Sequence, residues 1–144
     1  MPAVELAGKW TYRSFHNNPD FVTDTAEHAL SLFFAEATFE FAQSKGDTIA
    51  GAIDWEGGGL DLKGACLPSS EAAPLTISLV GTGRPGTDTE YWRYDYFAHL
   101  AHEWPNGVGQ TPALVGSVIR VKPHGGAPAG YVASFIAVKQ PQAG

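Results

Sequence analysis

The run Thr48-Ile49-Ala50-Gly51-Ala52-Ile53-Asp54-Trp55, the link Glu56-Gly57-Gly58-Gly59 and the run Leu60-Asp61-Leu62-Lys63-Gly64-Ala65-Cys66-Leu67 decide the fold of this chain. Side chains on a strand alternate between two faces. Ile49, Gly51, Ile53 and Trp55 therefore share one face of the first run. Leu60, Leu62, Gly64 and Cys66 share one face of the second, opposite Asp61 and Lys63. A parallel crossover needs a dozen or more residues, and the glycine-rich link is far shorter. The two runs read as neighbouring antiparallel strands.

The same pattern extends outward in both directions. Upstream, a strand about Glu5 to Asn17 sets Leu6, Gly8, Trp10, Tyr12, Ser14 and His16 against Lys9, Thr11 and Arg13. A strand about Glu36 to Gln43 sets Ala37, Phe39 and Phe41 against Thr38 and Glu40. Between these two, Asp24-Thr25-Ala26-Glu27 resembles a capping box, and Ala26, Ala29, Leu30 and Phe33 follow at helical spacing. This predicts a short helix about Thr25 to Phe33; the alternative is that the second strand already begins at Leu30. Downstream, strands are expected about Leu75 to Thr82, Glu90 to Leu100, Ala113 to Lys122 and Gly130 to Lys139. The turns between them are rich in glycine and proline. Eight such strands in meander order predict an all-β fold, an eight-stranded antiparallel up-and-down barrel with one short helix between strands 1 and 2. Glycines inside strands (Gly51, Gly64, Gly81, Gly116) suit the strong curvature of a small barrel.

The 144 residues are expected to form one domain, residues 1–144. Charged residues make up 17% of the chain, against an ordinary ~25%. The net charge of −6, with nine scattered basic residues, points away from nucleic acid. No apolar run is long enough for a membrane-spanning helix, and Met1-Pro2-Ala3-Val4-Glu5 does not read as a signal peptide. The single Cys66 fits a reducing compartment, so a cytoplasmic protein is expected. The last two strands are apolar on both faces: Leu114, Gly116 and Val118 against Val115, Ile119 and Val121, then Tyr131, Ala133 and Phe135 against Val132, Ile136 and Val138. A strand with one face in water should alternate, so a homo-oligomer through these two strands is expected.

Gly8-Lys9-Trp10, at the start of an eight-strand meander, is similar to the Gly-x-Trp signature of calycin barrels, the lipocalin and avidin type. That resemblance implies a barrel whose interior holds a small organic ligand. An avidin-like site calls for a small polar residue two positions after the Trp. Tyr12 stands there, followed by Arg13-Ser14-Phe15, which points away from biotin. Lipocalins proper are usually secreted with disulfides, and this chain has one cysteine.

Two sets of residues are candidates for a site. Trp10, Tyr12, His16, Phe39, Phe41, Trp55, Tyr94 and Tyr96 would form an aromatic cavity for a hydrophobic or aromatic ligand. In the run Tyr91 to Leu100, Arg93, Asp95 and His99 share one face with Tyr91 and Phe97. Facing inward they would make a catalytic wall, with Arg93 on an oxyanion and Asp95 and His99 moving protons. Facing outward they would be a solvated pair and an exposed imidazole, with Trp92, Tyr94 and Tyr96 inside. Arg120, near the end of an apolar strand, is expected to pair with a carboxylate inside the barrel or at a subunit contact. His16 and His124 are expected at a barrel mouth. His99 and His102 face opposite ways on a strand, so no metal site is expected, and no cofactor fingerprint is present. Three functions remain open at this point: a small-molecule-binding barrel, a cofactor-independent isomerase, cyclase or lyase in the same cavity, and a structural oligomer with a solid core.

Overall fold

The computed structural model describes residues 6–17, 27, 31–42, 45–101 and 106–141. Eight strands follow in chain order: β1 (Gly8–His16), β2 (Phe33–Phe41), β3 (Thr48–Trp55), β4 (Gly58–Leu67), β5 (Thr76–Gly83), β6 (Arg93–Leu100), β7 (Ala113–Arg120) and β8 (Val132–Lys139). Each pairs antiparallel with the next, and β8 returns to β1 through Trp10↔Lys139 to His16↔Ala133. The sheet is therefore a closed barrel. Closure removes the exposed edges that would otherwise invite further strands.

Two expected boundaries shift. Of the helix expected about Thr25 to Phe33, only Glu27 and residues 31–33 are described, and Phe33 is the first residue of β2. Its partner is Phe15, across a bulge between Ser14 and Phe15, and the two rings meet edge to face at 6.1 Å. The sixth strand begins at Arg93 and not at Glu90. Trp92 N–H donates to the Thr89 carbonyl and Glu90 N–H to that of Thr87, which curls the preceding residues into turns.

Alternation places the residues inside as the sequence pattern implies. The lumen has two halves. Toward the ends that carry Phe41, Thr48 and Leu114 it is solid. Trp10, Phe41, Ile49, Leu62, Ile77, Leu114 and Ala137 are buried there, and Trp10 Nε1 donates to the Leu6 carbonyl at 3.0 Å. At mid-height Tyr12, Phe39, Tyr96 and Phe135 form a ring of mostly edge-on aromatic contacts, with centroids 5.0–6.2 Å apart. Beyond that girdle the barrel opens.

The outer wall is uneven. On β3 and β4 it presents Asp54, Asp61 and Lys63. On β5 to β8 it exposes Val80, Phe97, Val132, Ile136 and Val138. No helix among the described residues is long and apolar enough to cross a membrane.

Candidate ligand cavity

The open end is built from the last residues of β1, β3, β5 and β7 and the first of β2, β4, β6 and β8. Within it lies a cavity of about 520 Å3 lined by Tyr12, Phe34, Trp55, Trp92, Tyr94, Tyr96, Arg120 and His124, among others. That volume is in the range of small-molecule sites. Its floor is the aromatic girdle, since Tyr12 and Tyr96 face both layers.

Local sequence explains how the wall is held. Trp55 ends β3, and Trp92 hangs from the β5–β6 connection. That connection is tied down by Thr89 Oγ1, which donates to the Gly59 carbonyl at 2.8 Å. Arg84 fastens it from outside, with Nη1 on Asp54 at 2.7 Å and Nε on Asp61 at 2.9 Å. His124 sits at the start of a tight hairpin. His124 and Ala127 exchange both backbone hydrogen bonds, and Gly125 and Gly126 between them have φ of 53° and 82°. Two consecutive positive φ values define a type I′ turn, which glycine enters freely. The hairpin lays the imidazole flat on Trp92, with centroids 3.7 Å apart at 11°. Trp92 in turn stacks on Trp55 at 6.1 Å and 21°. The three near-parallel rings thus form one stack.

The polar groups form a chain across the mouth. Arg120 Nε donates to Tyr94 Oη at 3.0 Å, and Tyr94 Oη lies 2.8 Å from His124 Nε2. A guanidinium has donors only. Tyr94 Oη therefore accepts from Arg120 and is free to donate its proton to Nε2, which requires that nitrogen to be bare. Burial, and then the Arg120 charge, push the His124 pKa below its ordinary 6.5. Both effects favour the neutral ring that this arrangement needs. The Arg120 guanidinium also donates to the Pro128 carbonyl at 3.2 Å and lies over the rings of Tyr94 and Tyr131 at 5.7 and 5.2 Å. A second Tyr–His pair stands at the rim, where His16 Nδ1 meets the Tyr131 hydroxyl. Burial raises the pKa of Tyr12 and Tyr96, so both hydroxyls stay protonated. They offer the cavity neutral donors.

The expected site residues divide accordingly. Tyr12, Trp55, Tyr94 and Tyr96 line the cavity, and His16 stands at its rim. Trp10, Phe39 and Phe41 lie in the packed layers below, buried and away from the cavity lining. Arg93, Asp95 and His99 are on the outer face of β6, so the inward wall does not exist. Arg93 Nε and Nη2 grip Asp95 at 3.1 and 3.3 Å on the outside, and His99 Nδ1 contacts only its neighbour's carbonyl at 3.3 Å. The reason is energetic. One face of this strand carries Tyr94, Tyr96 and Ala98, and turning the charged face inward would strip water from an ion pair while exposing two tyrosines. His102 lies outside the described residues. Arg120 departs from expectation in another way: it points inward, but no carboxylate among the described residues pairs with it. Phe34 escaped notice in the sequence because it precedes the alternating part of its strand. Its ring meets His16 at 4.6 Å.

Fold and site together define a closed eight-stranded antiparallel barrel, plugged at one end and hollow at the other, consistent with the calycin type. Comparison with protein-family models, curated proteins and solved structures gives no match for this chain.

Proposed function

We propose that this chain is a small-molecule-binding barrel whose ligand is a flat, largely aromatic or apolar organic molecule. The supporting observation is the cavity of about 520 Å3 bounded by Trp55, Trp92, Tyr94, Tyr96 and Tyr12 above a solid aromatic floor. Trp55 and Trp92 report on occupancy. Titrating the protein with a panel of bicyclic aromatic metabolites should quench tryptophan fluorescence with saturation. A flat response across the panel overturns the reading. An acid–base reaction in the same cavity is the competing reading, favoured by the Tyr94–His124 hydrogen bond at 2.8 Å. Mass spectrometry of the bound molecule after incubation decides between them, because a binder returns it unchanged.

The outer wall supports self-association in the same cytoplasmic, reducing setting that Cys66 fits. Val80 on β5, Phe97 on β6 and Ile136 and Val138 on β8 are substantially exposed, Val115 and Ile119 on β7 lie between them, and the acidic strand residues other than Asp95 (Glu36, Glu40, Asp54 and Asp61) belong to β2, β3 and β4. The partner proposed is a second copy of this chain, meeting through β7 and β8. Light scattering should give a multiple of the 15.3 kDa chain mass, and Ile136→Lys should return it to the monomer. A monomeric wild type refutes this part.

A further inference from the structure

The chain has four arginines, and their partners differ in a way that bears on the ligand. Arg13 lies 3.8 Å from Glu36, Arg84 holds Asp54 and Asp61, and Arg93 holds Asp95. These three are on the outside, where pairing is cheap. Arg120 is only 7% exposed, inside the barrel, and has no acidic partner among the described residues. A guanidinium stays protonated, so it must carry its charge where water is scarce. A hydroxyl, a carbonyl and two aromatic faces offset part of that cost, but none of them is an anion. Two of its five N–H groups are engaged by these contacts.

We propose that the cavity's ligand is an aryl carboxylate, its carboxylate seated on Arg120 and its ring system among the aromatic side chains of Phe34, Trp55, Trp92 and Tyr96 that line the same cavity. This rests on the binding function proposed above and specifies the ligand's chemistry. A carboxylate has two in-plane oxygens that match the guanidinium fork, and charge assistance strengthens both hydrogen bonds. Arg120 is the buried cation of a lining whose exposed part carries the carboxylates Glu36 and Glu56, so the site suits no more than one negative charge, held at Arg120. A neutral His124 adds no second cation, so a dianionic phosphate would be left half compensated. The aromatic lining supplies ring edges and faces that an aryl body meets in edge-on or offset contacts and a flexible alkyl chain does not.

The test uses naphthalene-2-carboxylate, its neutral analogue naphthalene-2-carboxamide and the aliphatic decanoate, each titrated calorimetrically into wild-type protein at neutral pH. The carboxylate should bind about tenfold to a hundredfold more tightly than the carboxamide, the range a charge-assisted hydrogen bond gives. Arg120→Gln should bring the acid down to the level of the amide, and Arg120→Lys, which keeps the charge and loses the fork, should fall between. Equal affinity of acid and amide for wild type overturns the carboxylate assignment and leaves the binding function standing. Decanoate binding as tightly as the naphthoate overturns the aryl assignment. Failure of all three molecules to bind removes the binding function itself. The wild-type comparison needs no variant, so a poorly folded Arg120→Gln does not blunt it.

Discussion

Tyr94 links the Arg120 guanidinium to the His124 imidazole across the cavity mouth. Arg120 donates to the Tyr94 oxygen, and a neutral His124 that carries its proton on Nδ1 takes the Tyr94 hydroxyl hydrogen on Nε2 at 2.8 Å. Protonating His124 would put a second N–H where that hydrogen points, and a second positive charge near Arg120. The groups that face the imidazole are Trp92 on its flat side, Tyr94 at Nε2 and the Arg120 cation, with no carboxylate among them in the described residues. The pH dependence follows. The folded-state pKa of His124 lies below its unfolded 6.5, so well above 6.5 the ring is neutral in both states and folding has no linkage to it. As pH falls from 6.5 through the folded value, the unfolded chain binds the proton more readily, and stability declines. Below both values the loss is complete and flat. Denaturant melts across this window should show a steeper decline in the wild type than in His124→Phe, and the difference is the share of the imidazole. An NMR titration placing the His124 midpoint above 6.5 would contradict the orientation of the Tyr94 hydroxyl.

Strands show what could be read from residues and what could not. Period-two alternation sufficed for β1, β2, β3 and β4, where one face is plainly apolar, and it placed Tyr12 and Trp55 in the lumen correctly. The run Tyr91 to Leu100 resisted, because both of its faces carry aromatic residues and only one carries charge. Its orientation is set by register with β5 and β7, where Tyr94 lies between Gly81 and Arg120 and Tyr96 between Leu79 and Val118. Register is a property of the closed sheet and is not visible in one segment. Arg120 stood out early as a cation ending an apolar strand. Its lack of an acidic partner emerged only once distant residues were brought together in space. The strand glycines were legible as curvature devices, and Gly116 shows why. A Cβ there would overlap the Phe97 carbonyl oxygen on β6, which is backbone and cannot swing aside. Gly116→Ala should therefore force β6 and β7 apart and lower unfolding free energy by about 1–3 kcal/mol or more. Urea denaturation measures it, and a loss within error of zero would mean the two strands are not so closely apposed.

Across the whole barrel the two ends divide labour. The plugged end buries Leu114 completely, between Leu100 and Ala137 and away from the cavity lining. The hollow end leaves Trp92 half-buried in the lining of the cavity. If folding energy comes chiefly from the first layer and recognition from the second, substitutions at the two ends should separate in opposite directions. Leu114→Ala deletes a fully packed side chain, and such losses run to about 2–5 kcal/mol, so its melting temperature should drop sharply. The cavity lies beyond the aromatic girdle, and affinity for naphthalene-2-carboxylate should persist at temperatures where the variant is folded. Trp92→Ala removes the middle ring of the stack. It should weaken that affinity by about two- to tenfold, in line with the value of an aromatic pair, while shifting stability far less than Leu114→Ala. Paired melting curves and calorimetric titrations on the two variants would show this crossing. If both lose stability and affinity in parallel, the lumen is one cooperative core and the barrel has no separate binding end.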